Sequence, residues 1–132
     1  MDVFVVEDSA VMRQRLLVAL EAVPGTRVVG WADSAEEAIA GIERLRPHLV
    51  VLDLRLAHGT GLTVLEAIKR LMPAPTVAVL TNYPQMQYRR RCDELGADFF
   101  LDKAAGFDPL LEVCRAVGAG GDVTTAKTPH GR

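Results

Sequence analysis

Four short apolar runs of this sequence end in groups that can do chemistry. VFVV runs into Glu7 and Asp8, LVVL into Asp53, TVAVL into Thr81, and DFFL into Asp102 and Lys103. Three carboxylates gathered in one crevice repel one another, and the usual remedies are a raised pKa or a bound cation. Oxygen ligands suit a hard ion such as Mg2+, which binds one or two carboxylates, keeps several waters and accepts a phosphate oxygen as a further ligand. A lysine beside such a site can neutralise one phosphoryl oxygen, and a hydroxyl can hydrogen-bond another. Lys103 and Thr81 fit these two roles. A carboxylate held in line can accept a phosphoryl group and become an aspartyl phosphate, which makes Asp53 the candidate nucleophile.

Such a site requires elements that bring four chain segments to one place. Residues 3–8 read as a strand, and from Ser9 the apolar positions Met12, Leu16, Leu20 and Val23 take the spacing of one helix face. PGT at 24–26 breaks that helix. A strand is expected over 27–32, and SAEE at 34–37 places a serine three residues before a glutamate, the pattern of a helix-opening capping box. Arg46-Pro47 stops the second helix. Then follow a strand over 49–53, a helix over about 62–71, a strand over 76–81, a helix led in by Pro84, a strand over 98–102 and a helix from about 108 to 117. LVVLD and TVAVL are apolar at nearly every position instead of alternating, as parallel strands covered on both faces are. Five strand-helix units of this kind predict an α/β domain, a doubly wound five-stranded parallel sheet with five helices. In open parallel sheets ligands bind outside the carboxyl ends of the strands, which is where the four chemical groups fall.

The chain has 132 residues, enough for one core and too few for a second folded unit. One domain is expected over 1–118, with 119–132, rich in glycine and small polar residues, as a flexible tail or linker stub. A formal charge of -2 gives no bulk attraction for nucleic acid or anionic membrane. Cys92 and Cys114 are far apart and lack a metal-like spacing, which points to reduced thiols. No apolar stretch approaches the length of a membrane span, so a cytoplasmic protein without membrane insertion is expected.

Taken together and in order, the acidic pair Glu7-Asp8, Asp53 in VVLDLRL, Gly61 eight residues later, Thr81 in AVLTN, and Lys103 in FFLDKA with Phe100 before it resemble a response regulator receiver domain of two-component signalling systems. The resemblance covers residues 2 to about 118. It implies a flavodoxin-like fold with Asp53 as phosphoacceptor and Mg2+ as cofactor. Asp8 would be the main carboxylate on the metal, with Glu7 assisting partly through water and Arg55 contributing its backbone carbonyl. It also implies a switch in which Thr81 approaches the phosphoryl group and Phe100 moves into space vacated behind it. Arg55 and Tyr83, two residues past the acceptor and the threonine, are expected to influence phosphate lifetime through water access. Ala57 and Ala104 stand where the family commonly has proline, and Glu7 where aspartate is more frequent. Neither alanine removes a chemical group, and the extra methylene of Glu7 favours an indirect metal contact with a modest effect on affinity.

The expected role is a stand-alone, phosphorylation-dependent signalling switch rather than a metabolic enzyme. Its partners would be a sensor histidine kinase or histidine phosphotransfer protein and a downstream protein, with dimerisation on phosphorylation left open and no direct contact with nucleic acid. The alternative is a receiver fragment of a longer DNA-binding response regulator or output enzyme. A nucleotide-binding flavodoxin-type domain is disfavoured because EDSAVM stands where a glycine-rich phosphate loop would follow the first strand. His48, His58 and His130 read as exposed loop residues, and Arg89 to Arg91 as a solvated helix surface or a partner-docking patch. Phe100 also fits a fixed core aromatic.

Overall fold

The computed structural model describes residues 1–120. Its elements alternate as the sequence pattern requires: β1 (Asp2–Val6), α1 (Ala10–Glu21), β2 (Arg27–Ala32), α2 (Ala35–Leu45), β3 (Leu49–Leu52), α3 (Gly61–Ile68), β4 (Thr76–Thr81), α4 (Met86–Glu94), β5 (Phe99–Asp102) and α5 (Asp108–Gly118). All five strands are parallel and hydrogen-bonded in the order β2-β1-β3-β4-β5. The chain therefore winds outward from β1 in both directions, and the crevice of the fold opens beside β1 and β3.

The first three helices start where a side chain satisfies a free backbone N–H. Ser9 Oγ accepts from Met12 N–H (3.3 Å), Ser34 Oγ from Glu37 N–H (3.3 Å) and Thr60 Oγ1 from Thr63 N–H (3.2 Å). Pro109 sits in the first turn of α5, where its missing donor is not needed. Gln85 at the start of α4 makes no side-chain cap bond. Arg46, in the left-handed region at φ 49°, ends α2 just before Pro47.

Strand side chains alternate between two cores, one on each face of the sheet. Phe4, Val6, Val50, Leu52, Val77, Val79 and Phe100 point toward α2, α3 and α4, where they meet Ile42, Leu65, Ile68 and Cys92. Val3, Val5, Leu49, Val51, Ala78, Leu80, Phe99 and Leu101 face α1 and α5, against Leu16, Leu20, Leu110 and Val113. On the first face the Phe4 ring needs glycine above it: a Cβ on Gly41 would stand 2.8 Å from Phe4 Cζ.

The differences from the sequence expectation are at element ends. β1 stops at Val6 and β3 at Leu52, so Glu7, Asp8 and Asp53 lie just past their strands, while β5 begins at Phe99. α3 ends at Ile68 because residues 69–72 turn ahead of Pro73. A single 3-10 turn at Lys103–Ala105 has no periodic signature, being too short to carry one. The expected tail boundary falls just past α5, but residues 121–132 lie outside the described residues. Among the described residues no helix is long and apolar enough to cross a membrane.

Candidate functional site at the carboxyl edge of the sheet

Two backbone bonds continue the ladder past the strands and fix where the acidic residues begin. Glu7 N–H donates to Ala32 O (3.0 Å), and Asp53 N–H donates to Val6 O (3.1 Å). Gly61, the first residue of α3, folds back over Asp53: its N–H donates to Leu54 O (2.9 Å), and a Cβ there would lie 2.1 Å from Asp53 O. Only a residue without a side chain permits this approach.

Across the crevice, Asp102 Oδ1 accepts from Ala104 N–H (2.9 Å) and holds the 3-10 turn that projects Lys103 inward. Lys103 Nζ donates to Glu7 Oε1 at 2.7 Å and to Asp53 Oδ2 at 2.8 Å. All three side chains are at most 8% exposed. The other Glu7 oxygen, Oε2, accepts from Ser9 N–H (3.1 Å), and Asp53 Oδ1 from Arg55 N–H (3.4 Å). Burial pushes the Glu7 carboxyl above its ordinary range; the hydrogen bonds from Lys103 and Ser9 oppose that rise, and the Asp53 charge adds to it. Burial alone would lower the Lys103 pKa, but hydrogen bonds to Asp53 and Glu7, with the charges behind them, raise it instead. The ammonium is therefore firmly protonated.

Asp8 completes the cluster and is its most open member. One carboxylate oxygen each from Glu7, Asp8 and Asp53 lie within 4.8 Å of one another. A single ammonium faces three carboxylates, so the crevice keeps room, in charge and in donor chemistry, for a hard divalent cation. The residues present fit such an ion.

Thr81 is fully buried at the end of β4, and its Oγ1 accepts from Tyr83 N–H (3.0 Å), leaving the hydroxyl hydrogen to donate elsewhere. The Arg55 guanidinium lies 4.6 Å from the Tyr83 ring centroid, so the residues two past Asp53 and Thr81 are stacked on each other. Phe100 is buried in the core against α2, α3 and α4, with the Arg89 guanidinium 5.5 Å from its ring centroid. Of the arginine run, Arg89 thus packs inward, while Arg91 pairs with Glu94 on the surface. His58 is exposed. His48 is exposed too, but its Nδ1 accepts from Asp2 N–H (2.9 Å), so it anchors the start of β1. His130 lies outside the described residues.

One neighbour of the site has no counterpart in the sequence reading. Arg13 Nη1 donates to Glu7 O (2.8 Å), and the same guanidinium lies 3.8 Å from the ring centroid of Trp31. The sequence signal for it is confined to the position of Arg13 on the first turn and a half of α1; the partner on β2 appears only once β1 and β2 are paired.

Comparison with known proteins agrees with this geometry. The response regulator receiver domain family matches residues 3–115, and the chain belongs to that family. A protein-glutamate methylesterase/protein-glutamine glutaminase of Treponema pallidum is 36% identical over 106 residues, which are 79% of this chain and 26% of that protein. The DNA-binding transcriptional activator DevR/DosR of Mycobacterium tuberculosis is 34% identical over 118 residues, 89% of this chain and 54% of that protein. The chain thus spans about a quarter of the first relative and about half of the second. Among solved structures, the response regulator domain of Thermotoga maritima CheB superposes with a TM-score of 0.79 at 23% identity, covering 92% of this chain and 95% of that one. That likeness shows the flavodoxin-like receiver fold. The chain is a receiver domain, the phosphorylation-dependent switch module of two-component signalling.

Proposed function

We propose that Asp53 is the phosphoacceptor and that the phosphoryl group comes from a phosphohistidine of a sensor histidine kinase or a phosphotransfer protein. The observation that carries this reading is Lys103 Nζ bridging Glu7 and Asp53 at 2.7 and 2.8 Å inside a cluster of three carboxylates. An Asp53 carboxylate oxygen attacks phosphorus, the phosphorus–nitrogen bond breaks, and the imidazole leaves with the electron pair. The product is an acyl phosphate on Asp53.

Asp8, Asp53 and Glu7, with the Arg55 carbonyl, would hold Mg2+. When bound, this ion supplies charge neutralisation and orientation for the phosphoryl oxygens. Lys103, already protonated beside Asp53, transfers one of its hydrogen bonds to a phosphoryl oxygen, and the Thr81 hydroxyl donates to another. The Arg55–Tyr83 stack limits the approach of water to the adduct. Any turnover is confined to autophosphorylation and autodephosphorylation. Engagement of Thr81 draws its loop inward, repacks the surroundings of Phe100 and alters the face made by α4, β5 and α5, which binds a downstream protein in the cytoplasm. A second reading takes the domain as the regulatory part of a longer output protein; it is favoured by the chain's spanning only 26% and 54% of the two relatives above.

Incubation with acetyl phosphate and Mg2+ should give a hydroxylamine-sensitive mass increase mapped to Asp53, absent in Asp53→Asn. An adduct elsewhere, or none in the wild type, overturns the assignment.

A further inference from the structure

We propose that Arg13 is a positioning residue for the metal-holding carboxylates, kept in place by Trp31. This inference rests on the metal reading above. The Glu7 carbonyl belongs to the peptide that joins Glu7 to Asp8, and a peptide is planar. Fixing that oxygen therefore fixes the direction in which the Asp8 backbone leaves. Glu7 N–H is already tied to Ala32 O (3.0 Å) and Glu7 Oε2 to Ser9 N–H (3.1 Å), so the Arg13 bond to Glu7 O (2.8 Å) holds the remaining polar group of the residue.

A long side chain loses much rotamer freedom to make such a bond. Here the indole of Trp31, lying 3.8 Å from the guanidinium carbon, restrains the planar group from one face. Trp31 is 49% exposed, an unusual place for the only tryptophan of the chain. Its use as a platform for Arg13 accounts for that position. Two effects of Arg13 on a bound cation have opposite signs. Its positive charge repels the ion, and its hydrogen bond orients the carboxylates that hold it. The bond is made to the carbonyl rather than to a carboxylate, so it takes no ligand oxygen away from the metal, and the orienting effect prevails.

The test is Mg2+ binding to the whole chain, titrated with MgCl2 by calorimetry and in parallel by Trp31 emission. In the wild type both signals should share one midpoint. Arg13→Ala should weaken Mg2+ about tenfold, as loss of a group supporting metal ligands does, and should silence the emission response while calorimetry still records binding. Trp31→Phe, which keeps a ring under the guanidinium, should bind like the wild type, whereas Trp31→Leu should bind more weakly. Should Arg13→Ala not fold, the Trp31→Leu and Trp31→Phe pair decides. Unchanged affinity in Arg13→Ala and Trp31→Leu, or tighter binding as a bare charge would give, overturns the proposal while leaving the metal site intact. A wild type that does not bind Mg2+ overturns the metal reading and this inference with it.

Discussion

An ammonium buried between Glu7 and Asp53 cannot be removed without stranding two carboxylates in a poorly solvated place. Lys103→Met should therefore lower stability by about 3–5 kcal/mol at neutral pH in the absence of divalent ions, the scale for breaking a buried ion pair from one side. Urea denaturation measures it. The loss should shrink as the pH falls and the stranded carboxyls take up protons. Glu7 adds a pH dependence of its own. Its folded pKa lies above the ordinary value of 4.5, so the native state holds that proton more tightly than the unfolded chain. The associated stability is complete below the unfolded value and is lost as the pH rises through the folded one. With EDTA present, the wild type should gain stability relative to Glu7→Gln as the pH is lowered from neutrality toward the unfolded value of 4.5, read from the urea midpoints of the two proteins. The sequence showed these residues because strand-end chemistry survives in one dimension: an apolar run closing on an acid or a lysine is visible without the fold. It did not show that Lys103 reaches both acids, since that contact joins residues 96 and 50 positions apart.

Among the elements, α3 is the one whose start packs directly against Asp53. Gly61→Ala would force a Cβ to within 2.1 Å of Asp53 O, so the loop or the helix must shift. The expected cost is about 1–3 kcal/mol by the measure of overpacked sites. Because the displaced atom belongs to Asp53 itself, the rate of acetyl phosphate modification should fall more than that of Gly41→Ala, whose clash is with Phe4 in the core. Parallel rate measurements on the two variants separate damage to the site from damage to the fold. At β5, Phe100→Ala should abolish phosphorylation-dependent capture of the downstream partner while Asp53 still becomes modified; equal capture would refute the relay. Strand and helix positions were legible from periodicity and from the capping box at Ser34, whereas the caps at Ser9 and Thr60 became plain only with the structure. Ends were less so, because a strand stops where pairing stops, and pairing is not written locally. The same reason hid the Lys69 ion pair with Asp98 (2.9 Å), which ties the end of α3 to the segment before β5, and the stack of Arg13 on Trp31.

For the molecule entire, the two thiols report on the integrity of both cores. Burial pushes Cys92 up to about 12 and Cys114 up to about 11, one on each side of the sheet. Neither should react with a maleimide at pH 8 until denaturant is added. Since an unfolded thiol ionises near 8.5, stability should fall as the pH rises above about 9, by about 1.4 kcal/mol per pH unit for each thiol. A Cys92→Ala, Cys114→Ala double variant should lack that alkaline slope. The global plan was legible because alternation of wholly apolar strands with amphipathic helices admits few topologies; the order in which the strands lie side by side became definite only with the structure. That order has a consequence for motion. β3 is paired along both edges and covered on both faces, whereas α4 starts without a capping side chain and buries only Cys92. Deuterium should enter the amides of α4 within the earliest time points and those of β3 only when the entire domain opens. The acid proposed to receive the signal thus sits directly past the strand expected to exchange most slowly, and the helix that would display it is among the segments expected to exchange first.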